Sequence, residues 1–479
     1  MSELWRLRAG ELAARIAGKE VTSVEVVEAH LERIAEVDPQ VNAVVRVLAD
    51  EARAAAAAAD RQIADGAVLG PLHGVPFTVK ENLDVAGLPT TWGVPALAEA
   101  IPPENAPAVD RMLDAGAILL GRTNLSDMAL RVDTGSTLHG RTYNPWNAAR
   151  TAGGSSGGEG VALATGMSPL GLGTDIGGSL RSPASACGIA SIRPSAGRVP
   201  DAGYVPSADR LLAVQLFNVV GPMARRVADV RLALGVLSGA HPRDPLSLDV
   251  PAELPLDGPI RVAVSASPLG DKVDPAVAAA VGKAADALSD AGYDVVDVVP
   301  PRYEEAEEVW LRLLLGDYAS VLDHLLPIMG APGVAFLNAL SDSVAPVSGL
   351  AEMSGLLAVR DGIARDWSLF LQDHPLILTP TWSQLPFEIG LDTETAAGAV
   401  ATRQLIKPMM PANLLGLPSA CVPATRDNET GLPVGVLITG RRFRDDLCLD
   451  AAEAIESRLP LSTPIDPVGT PSGHSPNES

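Results

Sequence analysis

Three cysteines in 479 residues, Cys187, Cys421 and Cys448, are too few and too scattered for a disulfide framework, and no two of them stand at metal-ligand spacing. They read as reduced, mostly buried thiols. Aromatic residues make up only 4% of the chain, and no apolar run reaches membrane-spanning length. The segment Met1 to Gly18 interleaves Arg6, Arg8 and Arg15 with Glu3 and Glu11 and has no apolar stretch of the kind a secretory leader needs, so a cytoplasmic location is the expectation. Positive charge is also scarce. With 36 basic against 58 acidic residues the net charge is −22, which opposes direct binding of nucleic acid.

What the chain has in quantity is apolar material, 47% of its residues, enough for one large domain or two or three smaller ones. Thr22 and Ser23 are good N-cap residues before Val24, Val27, Leu31 and Ile34, whose spacing predicts a helix, and a second helix is expected over Ala49 to Ala64. Strands are expected at Val75 to Val79, Ala117 to Leu120, Leu170 to Leu172, Ile260 to Val264 and Tyr293 to Val298. Helices are expected at Ala108 to Leu113, Val161 to Ala164 and Pro275 to Leu288, and Leu376 to Leu378 is a further apolar run. This alternation argues for an α/β sheet covered by helices. The Pro- and Asp-rich stretch from Pro242 to Pro259 reads as a surface excursion, and Thr463 to Ser479 as a disordered tail.

The stretch Thr151 to Arg181 holds two glycine-wrapped serines 24 positions apart. Ser155 lies in Gly153-Gly154-Ser155-Ser156-Gly157-Gly158 and Ser179 in Asp175-Ile176-Gly177-Gly178-Ser179. Glycines so placed bare backbone N–H groups around a hydroxyl, which suits a nucleophile beside an oxyanion site. Upstream, Lys80 ends the apolar run Val75-Pro76-Phe77-Thr78-Val79, where burial would lower its pKa and make it a usable base. Taken alone, Lys80 reads as an ordinary strand-end lysine, and Thr151 to Gly160 as a flexible Gly/Ser linker. The Ser155 motif also fits the Gly-x-Ser-x-Gly elbow of serine hydrolases, which would need a downstream histidine. However, it follows the polar loop Asn144 to Arg150 rather than a core strand. No Gly-Lys-Ser/Thr follows either cluster, which argues against a phosphate cradle. His73 and His139, each beside a glycine, read as structural.

Lys80, Ser155 and Ser179 together resemble the Lys, cis-Ser, Ser triad of the amidase signature family. The likeness extends over Gly70 to Pro76, Gly121-Arg122-Thr123-Asn124, Asn144-Pro145-Trp146, Cys187 to Pro200, Gly221 to Arg225, Thr379-Pro380-Thr381, Asn413 to Pro418 and Gly431 to Val436. It is faint from Pro242 to Ile377. The resemblance implies one domain over residues 1–462 with a large, mostly mixed central sheet covered by helices on both faces. It makes Ser179 the nucleophile, Ser155 a proton relay after a cis peptide bond, and Lys80 the general base. The amides of Ile176, Gly177, Gly178 and Ser179 become the oxyanion hole, with Asp175, Arg181 and Ser156 as supports. It implies a small-molecule amide substrate and neither metal nor organic cofactor; pairing as a homodimer is left open.

Two other readings compete with a free-standing amidase. One is the glutamine-hydrolysing component of a tRNA-dependent amidotransferase complex, which shares fold and triad. The other is a binding protein that has lost catalysis, which retention of all three residues opposes. The chain departs from the family pattern at Glu81, where Asp is usual, at Ala152 for Pro, at Ser191-Ile192-Arg193 for Gly-Leu-Lys and at Leu437 for Gln. Trp310, Leu311, Leu314, Tyr318, Phe336 and Trp382 are the expected lining of an apolar acyl pocket.

Overall fold

The apolar and β-branched runs line up in one sheet of eleven strands in the computed structural model, which describes residues 3–253, 258 and 260–468. In chain order the strands are β1 (Val44–Val47), β2 (Pro76–Lys80), β3 (Ile118–Thr123), β4 (Gly135–Ser136), β5 (Gly140–Arg141), β6 (Leu170–Thr174), β7 (Ala190–Arg193), β8 (Val220–Ala224), β9 (Arg261–Val264), β10 (Asp294–Asp297), β11 (Leu376–Pro380), β12 (Ser419–Arg426) and β13 (Pro433–Gly440). β4 and β5 pair only with each other. The large sheet runs β1-β3-β2-β6-β8-β7-β12-β13-β11-β9-β10 and is mixed. β2 is parallel to β3 and β6, and β9 is parallel to β10 and β11, whereas the strands from β6 through β8, β7, β12 and β13 to β11 pair antiparallel.

Each face of the sheet buries its own apolar cluster, one around Val27, Leu163, Trp310 and Met409, the other around Phe77, Val79, Leu172, Val277 and Leu449. Helices therefore cover both sides, as expected. Thr22 caps the helix Ser23–Val41 in a full capping box with Glu25. Strand alternation sends Phe77 and Val79 into one cluster, which leaves Thr78 and Lys80 on the opposite face. β2 and β6 lie side by side and parallel, so their carboxyl ends, Lys80 and Thr174, come out at the same edge of the sheet. In open parallel arrangements that edge is where ligands bind.

Two expectations need correction. The helix expected from Val161 begins at Gly157, inside the glycine cluster, because its glycines serve close packing. A Cβ on Gly158 would lie 2.5 Å from Asn124 N, and one on Gly160 3.1 Å from Cys187 Sγ. The expected tail starts too early at Thr463. Ile465 N donates to Ala164 O, Val468 N to Pro145 O, and Asp466 pairs with Arg33, so residues 463–468 are tied to the body, while 469–479 lie outside the described residues. The excursion after Pro242 is docked through Leu248 N to Gly197 O; its residues 254–257 and 259 are likewise outside them. Among the described residues no helix is long and apolar enough to cross a membrane.

Candidate active site

β2 delivers Lys80 into a fully buried position, where its Nζ lies 2.7 Å from Ser155 Oγ and 3.0 Å from Thr174 Oγ1. The peptide bond between Gly154 and Ser155 is cis. Gly154 is pressed against the chain at Arg131 and Val132, where a Cβ would sit 2.6 Å from Arg131 O. No room exists for another residue. Burial pushes the Lys80 amine down to about 7, although Asp175 and Glu159 pull the other way. Glu159, at the start of the helix Gly157–Ala164, is itself fully buried, accepting from Thr78 Oγ1 at 2.7 Å and Thr123 Oγ1 at 2.9 Å. Burial pushes its carboxyl up to about 8, against the pull of Lys80, which weakens the counter-charge it offers the amine near neutrality.

Past Thr174 the chain enters the loop that carries Ser179. Asp175 organises it: Oδ1 accepts from Gly178 N at 2.8 Å and from Asn413 Nδ2 at 2.7 Å, while Oδ2 accepts from Leu180 N at 3.2 Å. Arg181 grips both Asp175 oxygens at 3.0 Å, and Arg193 donates to the Asp175 carbonyl at 2.7 Å. Burial by itself would raise the Asp175 pKa. The charges of Arg181 and Arg193 and the Asn413 hydrogen bond outweigh it and hold the carboxyl well below the usual range. Arg193, one of the departures from the family pattern, thus reaches under the loop.

The loop backbone is shaped by close neighbours. Gly178 has φ +93°, and a Cβ there would lie 2.5 Å from Met409 Cε; one on Gly177 would lie 2.8 Å from the Trp310 ring, whose Nε1 donates to Ile176 O at 3.1 Å. Because the Gly178 N–H points at Asp175, it drops out of the four expected oxyanion amides. Among the described residues nothing accepts from the amides of Ile176, Gly177 or Ser179. Ser179 Oγ makes no hydrogen bond among them either, and the residue keeps 7% exposure, so it can be reached from outside. Ser156 is brought to the head of the helix Gly157–Ala164 with its Oγ buried and unpartnered, packed against Gly173.

Sequence reasoning missed Thr174, Asn82, Glu159 and Asn413. Asn82 Nδ2 is placed 3.0 Å from Thr174 Oγ1, next to Lys80. Their only local signal is position: Asn82 shares the two-residue period of Lys80, and Thr174 directly precedes Asp175. Glu81 reaches away from the triad, to Thr91 and to His139 Nε2, both at 2.6 Å.

A cavity of about 410 Å³ opens beside Asn82 and Thr174, walled by Trp92, Met128, Leu130, Val214 and Tyr318, with the Asp201–Arg210 ion pair on its lining. Of the six residues expected to line an acyl pocket, only Tyr318 lines this cavity. Trp310, Leu311, Leu314 and Phe336 are core, because the apolar faces of the helices Tyr303–Tyr318 and Ala331–Asp342 turn against neighbouring helices, and Trp382, in the bend after β11, is buried against Phe387.

The family model for amidases matches residues 25–449. An indoleacetamide hydrolase of Bradyrhizobium diazoefficiens is 42% identical over 461 residues, which cover 95% of this chain and 87% of that protein. An acylamidase of Rhodococcus erythropolis is 33% identical over 467 residues, covering 95% of this chain and 96% of that protein. Among solved structures, a bacterial aryl acylamidase of the amidase signature enzymes superposes with a TM-score of 0.81 at 29% identity, covering 96% of this chain and 98% of that one. A match of this extent, on a sheet that ends in a buried lysine and two glycine-framed serines, places the chain in the amidase signature family, whose members hydrolyse amide C–N bonds.

Proposed function

We propose that this amidase hydrolyses a compact, uncharged amide with an aromatic-sized apolar acyl group, an arylacetamide such as indoleacetamide, through an acyl-enzyme on Ser179. The observation that carries the chemistry is the 2.7 Å contact between Lys80 Nζ and Ser155 Oγ, both fully buried. A serine hydroxyl is a weak nucleophile until a base takes its proton, and a lysine can do so only when uncharged. Neutral Lys80 accepts the Ser155 proton while Ser155 accepts that of Ser179, whose Oγ adds to the amide carbon. The negative oxygen formed is met by the free amides of Ile176, Gly177 and Ser179, each worth about 3 kcal/mol in the transition state. Collapse returns the proton through Ser155 to the departing nitrogen, which leaves as ammonia or amine. Water then enters by the same relay and releases the carboxylate.

The acyl preference rests on the mostly apolar cavity beside Thr174 and on the indoleacetamide hydrolase likeness. Its lining suits a flat apolar ring better than glutamine, with its charged ammonium and carboxylate, which sets the amidotransferase reading behind. Three buried free thiols fit a reducing compartment, and we keep the cytoplasm as location. Labelling the protein with a fluorophosphonate, mapping the modified peptide and following ammonia release from indole-3-acetamide and from glutamine tests the proposal. The expected result is a label on Ser179, turnover of the arylacetamide, and none by Ser179→Ala. Labelling at Ser155, or turnover of glutamine alone, overturns it.

A further inference from the structure

Lys80 has more to do than be neutral: its single lone pair has to face Ser155. A neutral amine carries two N–H bonds and one lone pair, and Lys80 Nζ has two hydroxyl neighbours, Ser155 at 2.7 Å and Thr174 at 3.0 Å. Either hydroxyl could donate to the lone pair. If Thr174 does, the base is spent on a bystander. What decides this is the other partner of Thr174, the carboxamide of Asn82, 3.0 Å away.

A carboxamide has a donor end and an acceptor end that exchange places when the group turns over. With Nδ2 against Thr174, the threonine proton has no acceptor left among the described residues except the Lys80 lone pair. In that orientation Asn82 Oδ1 is also buried with no partner. Turned over, Oδ1 accepts the Thr174 proton. The Thr174 oxygen then has to accept from a Lys80 N–H, and the lone pair of Lys80 is left pointing at Ser155. The Nδ2 group then takes the buried position that Oδ1 leaves, on the side of Asn82 away from Thr174.

We infer that Thr174, held by the Asn82 carbonyl, is a positioning residue that fixes the direction of the Lys80 lone pair toward Ser155. The inference rests on Lys80 being the general base. The charged groups around that amine are Glu159 on the helix Gly157–Ala164, Asp175 with Arg181 and Arg193 on the nucleophile loop side, Arg122 on β3 and Glu81 directly after β2. None of them changes when the threonine hydroxyl is removed.

The test compares Thr174→Val, Thr174→Ser, Asn82→Ala, the double variant Thr174→Val with Asn82→Ala, and Lys80→Met, all as full chains checked for a single cooperative melting transition. Steady-state hydrolysis of an arylacetamide and the rate of fluorophosphonate labelling of Ser179 are the readouts. Thr174→Val is expected to lower kcat by about 10- to 100-fold with KM within about twofold, and to slow labelling in parallel, within the range general-base contributions span. Thr174→Ser is expected to recover most of that loss. The double variant is expected to be no worse than Thr174→Val, since Asn82 acts through the hydroxyl.

If Thr174→Val unfolds, the Thr174→Ser and Asn82→Ala rates still decide. Thr174→Ser as impaired as Thr174→Val, or Asn82→Ala at the wild-type rate, overturns the inference while an inactive Lys80→Met leaves the triad standing. An active Lys80→Met overturns both.

Discussion

Titrating the enzyme probes Lys80 directly. An ordinary lysine, with a pKa of 10.5, is neutral in about 1 molecule in 3,000 at pH 7; pushed down to about 7, it is neutral in about half. Burial therefore raises the supply of neutral amine, the form the proposed base requires, roughly a thousandfold. Glu159, which favours the ammonium form when ionised, has its own carboxyl pushed up to about 8 by burial, which weakens that pull. The expected profile of kcat/KM, from ammonia release at low substrate and constant ionic strength between pH 5 and 9, rises tenfold per unit below about pH 7 and levels off above it. Lys80→Met is expected to abolish the limb together with the rate.

The same shift has a thermodynamic signature of definite sign. Between about 7 and 10.5 the unfolded chain holds the Lys80 proton and the folded one does not, so this group makes stability rise with pH across that window. Glu159 acts oppositely, holding a proton only in the folded state between 4.5 and about 8, which lowers stability as pH rises there. Below pH 7 the full cost of burying the Lys80 amine is present, and Lys80→Met is expected to melt higher than wild type at pH 6. An acid limb centred near 4 or above 9, or one that survives in Lys80→Met, refutes the reasoning.

Two further substitutions separate the loop's shape from its charges. Gly178→Ala combines a left-handed backbone, φ +93°, with a Cβ 2.5 Å from Met409 Cε, and is expected to cut kcat more than 100-fold; adding Met409→Ala relieves only the clash, so activity stays low. Asp175→Asn leaves Arg181 and Arg193 buried without their counter-charge, at a cost of about 3–5 kcal/mol read as a lowered denaturation midpoint. In the wild type the Asp175 contribution is present above the usual carboxylate pKa of 3.8 and is lost as pH falls below it toward the depressed folded value, so Asp175→Asn narrows its deficit in strong acid.

Lys80, Ser155 and Ser179 are singled out in the sequence by the family resemblance, since taken alone the lysine reads as an ordinary strand-end residue; the structure brings Lys80 and Ser155 within 2.7 Å of each other. Glycines that cannot carry a Cβ surround both serines, and an apolar strand leads to the lysine. The second layer was not legible, because its meaning depends on partners far along the chain. Thr78 and Glu159 stand 81 positions apart, and Asn82 and Thr174 stand 92 apart. The acyl pocket failed for a different reason. An apolar residue on a helix looks the same whether it faces a cavity or a neighbouring helix, and Trp310 and Phe336 do the latter. The walls of the cavity beside Thr174 come from separate segments around 82–92, 128–130, 201–218 and 318–328, which only the fold brings together.

Trp310 shows why the segment least like the family still bears on the chemistry. Its indole fills the space that a side chain at Gly177 would take and bonds Ile176 O, while Met409 does the corresponding packing at Gly178. The two residues lie on elements far apart in sequence, yet both press on the backbone whose amides are proposed to meet the oxyanion. Close-packed contacts of this kind transmit small displacements instead of absorbing them. Neighbouring residues of the same region, such as Tyr318, line the cavity. A change that enlarges the acyl pocket in that region is therefore free to alter substrate choice only where it leaves Trp310 and Met409 in place; one that moves either is felt first in kcat, whatever the substrate.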